Sequence, residues 1–129
     1  MAPTFVSGIP IYVQIADDIR AQILRGALRA GDQLTSTTEY SATYRINPAT
    51  VGKAFAILVD EGLVEKRRGI GMFVAEGARG TLVADGLATY VEETLNPAVE
   101  AGLALGLSID AIIDRVRAYG ADTTAKENS

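Results

Sequence analysis

From Pro10 the apolar residues Ile11, Ile15, Ile19 and Ile23 recur every four positions, with Asp17, Asp18, Arg20 and Gln22 between them. That spacing predicts an amphipathic helix ending near Gly26. Gly31-Asp32 then turns the chain, and Leu34 leads into Ser36, three residues before Glu39, the pattern of a capping box. A short second helix is expected from there to about Tyr44. Asn47 is a favoured N-cap, and Pro48 fits the first helical position because its missing N–H costs nothing there. The third helix therefore starts at Pro48, buries Val51, Phe55, Leu58 and Val59, and stops before Gly62. Leu63–Lys66 and Met72–Val74 read as two β-segments joined by a tip of Arg67, Arg68, Gly69, Ile70 and Gly71, which makes a hairpin. Three helices followed by a basic hairpin is the order of a winged helix-turn-helix.

Beyond the hairpin the pattern changes. Small and polar residues at 77–80 read as a linker, and 81–119 returns to helical spacing. Leu87, Val91 and Leu95, with Tyr90 and Val99 beside them, make one apolar stripe. Ser108 caps a last helix that carries Ile109, Ile112, Ile113 and Val116. Pro97 should kink or break the longer helix. The final residues, 120–129, are polar and expected to be disordered. The fold class is thus mostly α with a small β-hairpin: a winged helix-turn-helix over 1–76, a linker at 77–80, a short all-α dimerisation region over 81–119, and a tail.

Composition narrows the chemistry. The 129 residues include no cysteine and no histidine, which removes thiol nucleophiles, disulfides, imidazole bases and the two commonest zinc ligands. No catalytic group, metal site or cofactor is expected. No apolar run approaches the roughly 20 residues of a membrane span, and the N-terminus lacks the basic-then-apolar pattern of an export signal. A cytoplasmic protein with no membrane partner is expected. The net charge of −4 is unevenly spread. Residues 1–75 carry eight Lys/Arg against seven Asp/Glu, and 76–129 carry four against nine. The acid sits in the tail, so the placement of bases in the first part matters more than the total.

A recognition helix needs short polar side chains on its first turns, where base edges of the major groove come within reach. Asn47, Thr50 and Lys53 supply them, with Thr50 and Lys53 on one face. Alone, each has a plain structural role as a cap, a first-turn filler or a solvated charge; together with a basic wing they point to double-stranded DNA. Arg67, Arg68 and Gly69 at the tip suit phosphate contact or a minor groove. Arg45 is placed to meet a phosphate across the turn, and Thr37 and Thr38 at the head of the second helix could bond phosphates through hydroxyls and backbone amides. The acidic pairs Asp17-Asp18 and Glu92-Glu93 diverge by about 100° on a helix and do not converge on one atom. Leu87, Val91, Leu95, Ile109, Ile112, Ile113 and Val116 present more apolar surface than two short helices can cover, and a second copy of the chain is the expected cover. The competing reading is a winged-helix module that docks an acidic protein and has no specific DNA target.

The run "PIYVQIADDIRAQILRGALRAGDQL" followed by "TSTTEYSATYRINPATVGKAFAILVDEGLVEKRRGIGMFV", Pro10 to Val74, resembles the DNA-binding domain of GntR-type transcriptional regulators. "LNPAVEAGLALGLSIDAII" resembles the compact C-terminal region of their YtrA-like subgroup. The resemblance implies a homodimeric repressor on a palindromic operator, with genes for ATP-binding-cassette transporters as frequent targets. Many members carry Leu-Pro-Ser where this chain has Leu34-Thr35-Ser36, and arginines where Thr38 and Gly52 stand. Those differences shift weight onto Asn47, Thr50, Lys53 and the wing. The tail is much shorter than the ligand-binding domains of larger members, which leaves any small-molecule effector without a dedicated domain.

Overall fold

A computed structural model describes residues 5–127. Three helices, α1 (Ile11–Arg25), α2 (Thr37–Tyr44) and α3 (Pro48–Asp60), precede an antiparallel hairpin of β1 (Val64–Arg67) and β2 (Gly71–Val74). The hairpin register pairs Val64 with Val74 and Arg67 with Gly71. Helices α4 (Ala78–Tyr90), α5 (Asn96–Ala104) and α6 (Ile109–Glu127) follow, with a π-helical turn at Val91–Leu95 between α4 and α5. The chain divides into two compact units, between Asp85 and Gly86.

In the first unit the helix starts are set locally. The Ser36 hydroxyl accepts from the Glu39 N–H at 3.1 Å, and Asn47 Oδ1 accepts from the Ala49 N–H at 2.9 Å. Gly26, at φ 82°, ends α1 in the left-handed conformation. Arg45 ends α2 the same way, at φ 54° and ψ 48°, and is the one non-glycine residue with positive φ among those described. The core gathers Ile15, Ile19 and Ile23 of α1, Val51, Ala54, Phe55 and Leu58 of α3, Tyr40 of α2, and Leu63, Val64 and Val74 of the hairpin. Ile11, the first member of the α1 stripe, is exposed, and Val59 is half-buried. Each fully buried large aliphatic or aromatic side chain contributes about 1.5–3 kcal/mol relative to exposure.

The hairpin has a third neighbour that periodicity does not reveal. Gln33 forms an antiparallel bridge to Phe73. The Leu34 N–H donates to the Met72 carbonyl at 2.8 Å, and the Val74 N–H to the Asp32 carbonyl at 2.9 Å. The stretch between α1 and α2 therefore anchors the wing's second strand.

Three expectations about the C-terminal half change. Of the expected 77–80 linker, residues 78–80 open α4, because Ala78 is buried against the core and Arg79 Nε donates to the Leu24 carbonyl at 3.0 Å. Pro97 does not end the helical run, and the departure from α geometry expected of it falls just before it, at Val91–Leu95. Pro97 sits in the first turn of α5, where the preceding π-turn, with the Asn96 N–H bonded to the Val91 carbonyl, re-routes the backbone ladder ahead of the residue that cannot donate. The stretch 120–127, expected to be disordered, continues α6, and Thr123 and Thr124 donate to the carbonyls of Tyr119 and Gly120 at 3.0 and 2.9 Å. Asn128 and Ser129 lie outside the described residues. Within the second unit Ser108 caps α6 through the Ala111 N–H at 3.0 Å. Gly102 lets α5 approach α6, since a Cβ there would lie 3.0 Å from Ile112 Cδ1.

Candidate nucleic-acid interface

The exposed end of α3 is set by local contacts. Asn47 caps it, Pro48 fixes its first φ, and the Thr50 N–H closes the turn on the Asn47 carbonyl at 2.9 Å. Asn47 is exposed and Thr50 half-buried. Lys53 is exposed, but its ammonium lies 4.0 Å from the centroid of the Tyr12 ring on α1. A cation–π contact of this kind is worth about 0.5–1 kcal/mol at an exposed site, small enough to be exchanged for a base or phosphate. At the preceding position, a Cβ on Gly52 would meet nothing within 4 Å, so no crowding demands the glycine.

Across the turn, Arg45 holds its left-handed backbone while Ser41 donates its hydroxyl to the Ile46 carbonyl. Thr38 is exposed on the first turn of α2 and Thr37 is half-buried. Thr37 lines a cleft of about 350 Å³ with Ser36, Lys66, Arg67, Gly69 and Ile70. The fold thus brings the head of α2 and the wing together around one basic hollow. Thr38, Arg45, Asn47, Thr50, Lys53 and Arg68 do not line it.

The wing tip is built around two glycines. Gly69 has φ 79°, and Gly71 has φ 144° with Gln33 Nε2 only 2.5 Å from where its Cβ would be. Gln33 uses that nitrogen to donate to the Ile70 carbonyl at 3.0 Å. The Arg67 guanidinium carbon lies 4.2 Å from the Phe73 ring centroid, which props the side chain along the hairpin. Arg68 is exposed beside it. Sequence reasoning missed Gln33 and Tyr12, whose roles depend on crossings between distant segments.

Three acids on α1 and just after α3 are engaged. Asp17 pairs with Arg20 at 2.6 Å, Glu61 pairs with the same guanidinium, and Asp18 accepts from Gln22 at 2.7 Å. Burial works against the charge on Arg20, but Glu61 and Asp17 outweigh it and hold the guanidinium above its ordinary pKa. Asp17-Asp18 is accordingly a structural pair.

A capped helix with polar side chains on its first turns, set on a three-helix core beside a glycine-tipped basic hairpin, defines a winged-helix DNA-binding regulator. Residues 11–74 match the family described as "Bacterial regulatory proteins, gntR family". The chain is 33% identical over 116 residues to the HTH-type transcriptional repressor YtrA of Bacillus subtilis, covering 90% of this chain and 88% of that protein. A GntR family transcriptional regulator from Listeria monocytogenes has a similar structure, with TM-score 0.70 and 29% identity over 88% of this chain and 97% of that one. AraR(DBD) in complex with operator ORX1 is a further structural relative, with TM-score 0.51 and 27% identity over 58% of this chain and 90% of that one. The chain belongs to the GntR family of transcription regulators, which are not enzymes. Among the described residues no helix is long and apolar enough to cross a membrane.

Proposed function

We propose that the protein is a cytoplasmic transcriptional repressor that binds a palindromic operator as a homodimer. Each subunit lays the Asn47–Lys53 end of α3 in a major groove, with Thr50 and Lys53 reading base edges. Thr37, Thr38, Arg45, Arg67, Arg68 and Gly69 hold phosphates or the adjoining minor groove. The observation that carries the dimer is the second unit's surface: Leu87, Val91, Leu95, Ile109, Ile113 and Val116 are all exposed large hydrophobics. Ile112 plays a lesser part, since it is half-buried against Gly102 of its own chain. A two-fold pairing of these helices would cover that surface and present two recognition helices to two half-sites. Operator binding is supported by the AraR complex, and repression by the name of the Bacillus relative. The YtrA-like resemblance supports genes for ATP-binding-cassette transporters as targets.

The test is an electrophoretic shift on the DNA upstream of the protein's own gene, with light scattering on the same sample. A dimer that shifts this DNA and not random sequence is expected. Thr50→Ala or Lys53→Ala should cost about 1–3 kcal/mol at the cognate site only. Arg67→Ala and Arg68→Ala should weaken all sequences alike and flatten the salt slope by about one unit for each phosphate no longer neutralised. A full-length monomer, or equal affinity for any DNA, would turn the reading toward a protein-docking module.

A further inference from the structure

A second hollow lies inside the DNA-binding unit, where α1, α2, α3 and the Gln33–Thr35 stretch meet. Its volume is about 90 Å³. That lies between the space a single water needs and the roughly 150 Å³ that accepts the six carbons of benzene, so it suits an occupant that buries roughly four heavy atoms. Ile19 and Phe55 are among its apolar lining residues, and Gln22, Gln33, Thr35 and Tyr40 are its polar ones. No charged side chain lines it. Gln33 and Thr35 are exposed, which opens the hollow to solvent.

Tyr40 makes the hollow a candidate site and not merely a packing gap. The residue is 7% exposed, and its hydroxyl is buried with no hydrogen-bond partner among the described residues. An orphaned buried hydroxyl is unfavourable, a deficit that a ligand acceptor would remove. The two glutamines already spend one donor each, Gln22 Nε2 on Asp18 and Gln33 Nε2 on the Ile70 carbonyl. Their side-chain oxygens remain the natural acceptors for a ligand N–H. A group that offers a carbonyl to Tyr40 and an N–H to a glutamine is an amide. Asp18 close by and the lack of a lining cation disfavour a carboxylate.

We propose that this hollow binds a small uncharged amide and that, through Gln33, its occupant adjusts the wing tip. Gln33 belongs to both places, lining the hollow and holding the Ile70 carbonyl at 3.0 Å. The regulatory sense of the proposal rests on the DNA-binding reading above, whereas the binding itself does not.

The experiment titrates the nitrogen-labelled full chain, without DNA, with propionamide and separately with propionate, its charged counterpart. Saturable shifts are expected with propionamide at the Gln22 and Gln33 side-chain amides and at the Ile70 and Gly71 backbone amides, and none with propionate. Tyr40→Phe should weaken binding about tenfold, the loss of one hydrogen bond, while its melting temperature stays at or above that of the parent. Thr35→Val, at the exposed rim, should weaken it severalfold. Absence of saturation, equal response to propionate, or undiminished binding by Tyr40→Phe overturns the site. Shifts confined to the glutamine side chains, with Ile70 and Gly71 unmoved, overturn the link to the wing. Because DNA is absent throughout, failure here leaves operator binding to be judged by its own assay.

Discussion

The two units of the chain solve different problems with similar helices. Every buried hydrophobic side chain lies at or before Ala78, and no described residue from 79 onward is buried. In the first unit α1 and α3 cross so that Ile15, Val51, Phe55 and Leu58 are all but sealed from water. In the second, Leu103, Leu105, Leu107 and Tyr119 stand exposed beside the residues assigned to the dimer. The difference is one of arithmetic: a few short helices have too little inside for their apolar side chains, whereas three helices and a hairpin enclose a core. Stability therefore resides in the first unit, and the second carries surface that association can use.

Cutting the chain after Asp85 tests that division most severely. Fragment 1–85 should unfold cooperatively and be monomeric by light scattering, and its operator affinity should fall by about 10²–10⁴ through loss of the linked half-site. A fragment that is unfolded, or binds like the whole, breaks the comparison. A cut after Gly77 sharpens it, because Ala78 and Leu82 then no longer pack on the core; that fragment should be about 1–3 kcal/mol less stable than 1–85 in urea.

Single truncations in the two units should differ nearly as much. Phe55→Ala is expected to destabilise the first unit by about 3–5 kcal/mol. Leu105→Ala, at a residue 83% exposed, should leave that unit's unfolding free energy in urea unchanged to within about 0.5 kcal/mol.

The smallest effect is electrostatic and belongs to the first unit alone. Burial pushes the Tyr40 hydroxyl up to about 12, with Asp18 and Tyr44 adding to it. Since the folded value lies above the unfolded one, this contribution is fully present below pH 10 and is lost as pH rises toward 12. The urea stability of the parent should therefore fall by about 1–2 kcal/mol more than that of Tyr40→Phe between pH 9 and pH 12, both being approximate limits of the titration. Parallel curves would mean that Tyr40 is wetter than its packing implies.

Features written in adjacent residues were legible in the sequence. The Asn47-Pro48 start of α3, the Ser36 and Ser108 caps and the glycine-tipped hairpin each depend on chemistry within four residues. Features decided across the fold were not. The small polar run at 77–80 has a linker's composition, and only the core that receives Ala78 makes 78–80 helical. Gln33 looks like any polar residue after a turn until Phe73 and Ile70 come alongside. Lys53 reads as a free charge because nothing local announces Tyr12, 41 positions earlier, beneath it. The interface residues on α2, α3 and the wing were named from type and spacing, and the fold adds which of them share the basic hollow and which stand apart.

Arg45 separates two kinds of selection. Its left-handed backbone, φ 54° and ψ 48°, suits glycine, and an L-residue with a side chain held there carries about 1 kcal/mol of strain. A library screened for heat resistance should accept Arg45→Gly at once. The same library screened for silencing of a reporter gene should discard it, because the guanidinium goes with the strain. One position would then score in opposite directions in two pooled assays, so that a stability map and a repression map of this chain, overlaid, would pick out the helix-turn-helix corner without any knowledge of the operator.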